Sequence, residues 1–356
     1  MRDVGLARAR NAPAVCLRTI SIFAISIFAF WLIGYNLVFT IESDGLLGDL
    51  KIWTPQDDDP VGQGHAAGIF WLFQAMLAAL AAAVISSVIS ERVRFWPFVF
   101  FIAVFCGLIY PIVASWVWGG GYLAASWRFY DYGGGAVIHI TAGAASLAAA
   151  MIVGPRPGKY GDGTTRPAPA TELALTAFGV GLILAGWLVI LAAMGRSFSS
   201  IEAVISVASI IVNAVLAAAG GVLAALFLTQ TVYRRAGLVT VLCGAMGGLV
   251  SISADPLHPA LWQAAMIGAV GGVIVTVAPP FLDRYRIDDA GFVIPAHLLC
   301  GLWGVVIVPW SNPEAWILGQ AVGAVGIAGF SFLMGVLLWV ALRYTIGVRL
   351  APPSDP

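Results

Sequence analysis

The chain has 356 residues, of which 60% are hydrophobic and only 10% are charged, and its formal net charge is zero. A soluble domain carries roughly 25% charged residues, so this composition excludes an ordinary soluble protein and predicts one embedded in a lipid bilayer. The balanced charge gives no indication of a nucleic-acid partner. The four cysteines contain no C-x-x-C pair, and we interpret them as small buried residues rather than as a disulfide framework or metal cluster.

Ten apolar stretches have about the length of 20 residues that crosses a bilayer as a helix. They cover residues 17–40, 66–90, 93–117, 133–153, 172–194, 201–229, 236–254, 259–281, 290–309 and 318–346. The first stretch is too long for a cleavable signal peptide and lacks a small-residue cleavage site. The sequence therefore predicts an all-α polytopic membrane protein with about ten transmembrane helices.

The basic residues indicate the orientation of these helices, because Lys and Arg concentrate in cytoplasmic loops. With a cytoplasmic N-terminus, all 18 basic residues except Lys51, Arg128 and Arg196 fall on the inner side. The acidic run Asp57-Asp58-Asp59 falls outside. We expect an integral protein of a bacterial inner membrane with both termini in the cytoplasm.

Two histidines lie within apolar stretches, in matching local settings. His139 and His297 are each followed four residues later by a glycine, Gly143 and Gly301. An ionisable residue inside a membrane helix is costly and is a functional candidate by default. A glycine one turn beyond the histidine lies on the same helical face and would admit a neighbouring helix closely.

The second histidine stretch follows the first by five spans, and an odd number of spans inverts the second copy relative to the first. The sequence thus predicts one membrane domain over residues 1–350, with a first half of about 1–156 and a second half of about 170–347. The inner loop 154–171 is the expected boundary between them. Residues 351–356 would form a short cytoplasmic tail.

The depths of the two histidines also match. Each lies eight residues after an aspartate, Asp131 for His139 and Asp289 for His297. Eight residues of helix span about 12 Å, so the two rings would approach the centre of a bilayer core of about 30 Å from opposite sides. We expect them to come within contact distance. Two histidines on separate helices could also be axial haem ligands, although such a site needs a wide cleft between them.

Several motifs follow one another in the order of a known family. They are Gly5–Asn11, Phe73-Gln74 with Glu91–Phe95, Trp116–Gly121, Asp131–His139 continuing to Arg156, Gly186-Trp187, Cys300–Gly304 and Thr345–Arg349. These segments resemble the ammonium transporter family (Amt/Mep/Rh), and its Amt branch in particular. The resemblance covers nearly the whole chain.

This resemblance implies a homotrimer, neither an enzyme nor a cofactor-binding protein, in which each subunit has its own narrow hydrophobic pore. Ammonium would be recruited at an outer vestibule and lose its proton there, and ammonia would pass the relay of His139 and His297. Trp118 matches the vestibule tryptophan, where cation–π attraction is worth about 0.5–2 kcal/mol. Asp131 would cap its helix and support the vestibule, and Trp187 would support the pore.

The chain departs from the family pattern at several positions. It begins in the loop after the family's first helix. The two gate phenylalanines fall on Leu77 and Ile190, the vestibule serine falls on Met194, and Leu298 replaces the glycine after the second histidine. The short tail makes regulation by a docked trimeric signalling protein doubtful. These departures leave an ammonium sensor, or a relative that does not conduct, as the alternative function.

Overall fold

The computed structural model describes residues 1–57, 66–161, 164–166, 171–195 and 198–350. The expected tail 351–356 lies outside the described residues. Asp58, Asp59 and Arg196, which are predicted from the sequence to lie on the outer side, are also outside the described residues.

The described chain folds into ten apolar helices, as the sequence predicts. In chain order they are α1 (Ala9–Phe39), α2 (Ala67–Ile89), α3 (Phe95–Trp127, with a turn at 118–121), α4 (Gly135–Val153), α5 (Leu173–Met194), α6 (Ile201–Val232), α7 (Leu238–Ser253), α8 (Leu261–Arg284), α9 (Ile294–Trp310) and α10 (Ile317–Thr345). Eight are long and apolar enough to cross a membrane, while α7 and α9 are shorter. A short helix, Arg2–Leu6, precedes α1, and the strands β1 (Tyr160–Gly161) and β2 (Thr164–Thr165) pair after α4.

Helix α1 begins at Ala9, earlier than the apolar stretch that predicted it. Its first turns accommodate a buried arginine, because the guanidinium of Arg18 donates to the carbonyl of Val93 and lies 5.6 Å from the centre of the Phe98 ring. Pro13 stands in the first turn of the regular helix, where its missing N–H is no loss. Hydropathy alone missed the turns before residue 17 because they contain Arg10, Asn11 and Pro13.

Helices α6, α7 and α8 pack backbone against backbone. A Cβ atom on Gly221 would lie 2.1 Å from the carbonyl oxygen of Gly244, and one on Gly268 would lie 2.0 Å from that of Ala217. Small residues permit such close approach, which is a general way to associate membrane helices. This bundle contributes most of the smaller hydrophobic cluster.

Two hydrophobic clusters meet along α5. Trp187 and Leu191 belong to the cluster formed with α6, α7 and α8. Ile190 and Met194, on the same helix, pack instead against the larger cluster built mainly from α2, α3, α4 and α10. Helix α5 therefore lies between the two cores, and this boundary is where the two histidines are found.

Candidate functional site

Both histidine helices begin in the same way. Oδ2 of Asp131 accepts hydrogen bonds from the backbone N–H groups of Ala136 (2.9 Å) and Val137 (2.8 Å). Oδ2 of Asp289 accepts one from Ile294 (2.7 Å). Burial raises the pKa of Asp131 to about 6, although these N–H groups favour its ionised form. Each carboxylate thus satisfies N–H groups at a helix start that would otherwise be unpaired.

Each histidine lies in a π-helical turn that opens its helix. These turns are Gly135–Ile140 in α4 and Ile294–Leu299 in α9. A π turn carries one extra residue and redirects the side chains that follow, and such turns are frequent at functional sites. The sequence predicts regular helices around both histidines, and no local pattern in it indicates either π turn.

The structure brings the two histidine rings into contact. Nδ1 of His139 lies 3.1 Å from Nδ1 of His297, and both residues are buried. At this distance one ring donates its N–H and the other accepts, so a neutral pair satisfies the bond while two protonated rings would not. No macrocycle fits between rings in direct contact, which excludes the haem arrangement considered from sequence for this pair.

Trp187 of α5 completes the centre of the site. Its ring stacks on His139, with centroids 4.4 Å apart and an angle of 27° between the planes. It is also nearly parallel to His297, at 6.5 Å and 6°. Nε2 of His139 is buried and has no hydrogen-bond partner among the described residues. Nε2 of His139 can therefore bond with a molecule that enters the site.

The two glycines lie at the crossing of α4 and α9. A Cβ atom on Gly143 would lie 2.5 Å from the backbone nitrogen of Leu298, next to His297. A Cβ atom on Gly301 would lie 2.9 Å from the carbonyl oxygen of Gly135. Each histidine helix therefore presents a glycine to the start of the other, and this close approach sets the distance between the rings.

The other sequence-selected residues lie around this crossing. Nε1 of Trp118 donates to the backbone carbonyl of Asp131 (2.8 Å). This hydrogen bond connects the turn within α3 to the segment that leads into α4. Leu77 of α2 is fully buried in the larger cluster, and Ile190 and Met194 are partly buried against it. A Cβ atom on Gly195, next to Met194, would lie 3.4 Å from the hydroxyl of Tyr132, so the end of α5 lies beside the segment that leads into α4.

A cavity of about 320 Å³ lies on the other side of the pair. His297 and Trp187 line one end, and Arg2 and Asp3 of the N-terminal helix line the other. Between them the walls are mainly apolar, and include Leu80, Val84, Ile183 and Met246. From the sequence, Arg2 is only one of the basic residues that indicate the orientation of the chain. Nothing in the local sequence pattern indicates that its side chain reaches this cavity.

A family model described as the Ammonium Transporter Family matches residues 1–354. The chain belongs to the ammonium transporter family. It is an integral membrane protein with an all-α polytopic fold, and the resemblance inferred from its motifs is confirmed.

Individual members of this family match the chain over nearly its whole length. The chain is 29% identical to the ammonium transporter Amt2 of Archaeoglobus fulgidus, covering 100% of this chain and 81% of the relative. It is 26% identical to the ammonium transporter Amt1 of Methanocaldococcus jannaschii, covering 99% and 88%.

Solved structures agree with the fold. A structure titled Sensor Amt Protein superimposes with a TM-score of 0.91 at 26% identity, covering 99% of this chain and 90% of that one. Mep2 of Saccharomyces cerevisiae superimposes with a TM-score of 0.85 at 21% identity, covering 100% and 85%, and this likeness concerns the fold alone.

Proposed function

We propose that this protein transports ammonium across the membrane, passing it as ammonia through a narrow hydrophobic path centred on His139 and His297. The observation that carries this proposal is the imidazole pair, with its Nδ1 atoms 3.1 Å apart, buried at the crossing of α4 and α9. The relatives named ammonium transporters support the substrate.

The chemistry of the pair favours a small uncharged molecule. Neutral imidazoles offer one donor and one acceptor each, and the pair uses one of each for itself. Nε2 of His139 remains without a protein partner, so ammonia can bond to it in an otherwise apolar surrounding. A bare cation finds no carboxylate at this point and would have to leave its water behind, which is expensive in a medium of low dielectric constant. The path would thus select ammonia over a potassium ion.

Ammonium must lose a proton before it reaches the pair. We place its recruitment on the Asp131 side, in an outer vestibule formed by Trp118, Met194 and Leu77 and supported by Asp131. There Trp118 would attract the cation through its ring face. Leu77 and Ile190 would form the gate between vestibule and histidines, and Trp187 would support the pore. The proton released in the vestibule passes to water or to the histidine relay, and the electron pair stays on ammonia.

We further propose a homotrimer in a bacterial inner membrane, with both termini cytoplasmic. The distribution of basic residues supports the orientation. Light scattering of the purified protein, with the mass of bound detergent subtracted, would give the molar mass of the oligomer. The mass of a single chain would contradict the trimer.

The function can be tested in proteoliposomes that carry a pH-sensitive dye. On addition of ammonium we expect a response above that of empty vesicles. His139→Ala and His297→Ala should each change its rate by tenfold or more, because each removes half of the polar bridge. Gln230→Ala, which alters an exposed position near the end of α6, is the matched control and should leave the rate unchanged.

A sensor that binds ammonium without conducting it is the second candidate. Two observations favour it: the likeness to the structure titled Sensor Amt Protein, and the aliphatic side chains of Leu77 and Ile190 where the family's gate has rings. Calorimetry separates the two functions. Saturable ammonium binding by folded protein, together with no response in proteoliposomes, would favour the sensor and refute transport.

A further inference from the structure

The N-terminal helix Arg2–Leu6 stands at the end of the cavity opposite the histidines. Its backbone presses on α5, since a Cβ atom on Gly179 would lie 2.3 Å from the backbone nitrogen of Arg2. The side chains of Arg2 and Asp3 contribute to the cavity wall, together with Ser86 and Ser87 at the end of α2. These residues and His297 therefore line one and the same cavity.

The guanidinium of Arg2 is held across this end by three separate parts of the chain. Nη1 donates to Oγ of Ser87 (2.9 Å) and pairs with Oδ1 of Asp3 (3.0 Å). Nη2 donates to the backbone carbonyl of Gly291, in the segment that leads into α9. Ser87 in turn donates to Oδ1 of Asp3 (2.8 Å), which closes the network. The position of the guanidinium is therefore fixed by structure rather than left to a mobile surface side chain.

The network has an uneven charge distribution along the path. Among the side chains of the described residues that line the cavity, those of Arg2 and Asp3 are charged. The Arg2 side chain is 8% exposed, whereas that of Asp3 is 27% exposed, so the carboxylate lies on the more solvated side. Gly291 lies three residues before α9 begins at Ile294. The Arg2 guanidinium therefore stands beside the start of the helix that carries His297, and the two residues line the same cavity.

We propose that Arg2 is a specificity-determining residue of the path, a charge barrier below His297 that admits uncharged molecules and repels cations. Asp289 accepts the N–H of Ile294 through Oδ2 at the start of α9 and is not among the described residues that line this cavity. The barrier would keep ammonium from entering the cavity from the side of the membrane on which both chain termini lie, here called the termini side. Ammonia would pass. This inference rests on the proposed transport function and concerns the same path.

Chemical labelling tests the barrier without measuring transport. Ser86 lines the cavity, so a Ser86→Cys variant in a Cys16→Ser background places a single reactive thiol there, the other three cysteines being buried. A neutral and a cationic methanethiosulfonate reagent of similar size are applied from the termini side. With Arg2 present, we expect the neutral reagent to react faster. Arg2→Gln, which keeps hydrogen-bond donors but loses the charge, should reduce the neutral-to-cationic rate ratio on the order of tenfold.

Two control variants separate charge from structure. Arg2→Lys keeps the charge and should keep the ratio, and Arg10→Met removes an exposed charge from the same region without touching the cavity. An unchanged ratio in a folded Arg2→Gln variant would overturn the proposal. So would a failure of the neutral reagent to label Ser86→Cys, because a path for uncharged molecules must admit it.

Transport in the two directions gives the second measurement. In vesicles of uniform orientation, the barrier predicts a slower response to ammonium applied on the termini side than on the opposite side, and Arg2→Gln should bring the ratio of rates towards one. The outcomes distinguish the two proposals. If the unmodified protein gives no response, the transport function fails. The second outcome is a response that depends on His297, with the same ratio between the two directions in Arg2→Gln as in the unmodified protein. In that case the charge barrier fails and the transport function stands.

Discussion

His139 has two contacts that a lone buried imidazole lacks. One is the hydrogen bond to His297, and the other is the face of Trp187 at 4.4 Å. Aromatic contacts of this kind contribute about 0.5–1.5 kcal/mol beyond the buried area. The stack also fixes the ring plane, so that Nε2 keeps one direction. We regard Trp187 as a positioning residue for the histidine pair.

Replacing Trp187 tests this role at the scale of one side chain. Trp187→Leu keeps apolar bulk but removes the ring, and we expect the ammonium response per folded protein to fall several-fold because His139 loses the surface that orients it. Trp187→Phe retains a ring and should keep most of the response. Initial rates in proteoliposomes, normalised to protein that elutes as a single folded species, provide the measurement. Equal rates in the two variants would show that the ring does not orient His139.

At the scale of the elements, the site depends on how closely α4 and α9 cross. The π turns and the aspartate caps aim both histidines towards the crossing, and Gly143 and Gly301 let the backbones approach there. A side chain at either glycine would meet backbone, which cannot move aside as the end of a flexible side chain can. The distance between the imidazoles is therefore a property of the crossing rather than of the histidines themselves.

A single methyl group at this crossing should have a measurable effect. In Gly143→Ala the new Cβ atom would lie 2.5 Å from the backbone of Leu298 and push the helices apart. We expect a loss of about 1–3 kcal/mol in the free energy of unfolding, as for other overpacked sites, and a reduced ammonium response. Gly329→Ala on α10 is the matched control, because its Cβ meets nothing within 4 Å. Thermal unfolding in detergent compares them, and similar midpoints would contradict the proposed role of the crossing.

At the scale of the whole molecule, a buried ion cluster joins segments that are far apart in the chain. Asp288, which precedes α9, accepts two hydrogen bonds from the Arg156 guanidinium (2.9 and 2.8 Å) and lies 3.6 Å from Arg92. Arg92 also donates to the carbonyl of Gly154, after α4. Burial would raise the pKa of Asp288, but the hydrogen bonds of Arg156 and the charge of Arg92 outweigh it and lower the pKa. The cluster holds the ends of α2, α4 and the start of α9 together.

Removal of the central charge should destabilise the fold. Asp288→Asn leaves two buried guanidinium groups without their counter-ion, and breaking a buried pair in this way costs about 3–5 kcal/mol. Asp49→Asn, which breaks an exposed pair with Lys51, should cost no more than about 1 kcal/mol. The midpoints of thermal unfolding give the comparison. A loss in Asp288→Asn no larger than that in Asp49→Asn would show that the cluster does not hold these segments together.

The fold class, the family and the main candidate residues were within reach of the sequence. Apolar stretches of fixed length predict membrane helices because the bilayer has a fixed thickness. The repeated spacing of an aspartate, a histidine eight residues later and a glycine four residues after that marked two related helices. The start of α1 was missed because the residues before the apolar stretch include Arg10, Asn11 and Pro13, which hydropathy does not count as membrane-spanning.

Other features arise only when distant segments come together. No local sequence pattern predicts three of these features. They are the π turns at His139 and His297, the stacking of Trp187 on His139, and the hydrogen bond from Arg2 to Gly291. Each depends on helix packing, which places residues far apart in the chain side by side, and a sequence gives the spacing along one helix but not the angle at which two helices cross. The sequence determined which residues could form the site, and the crossing of α4 and α9 decided that the two histidines meet.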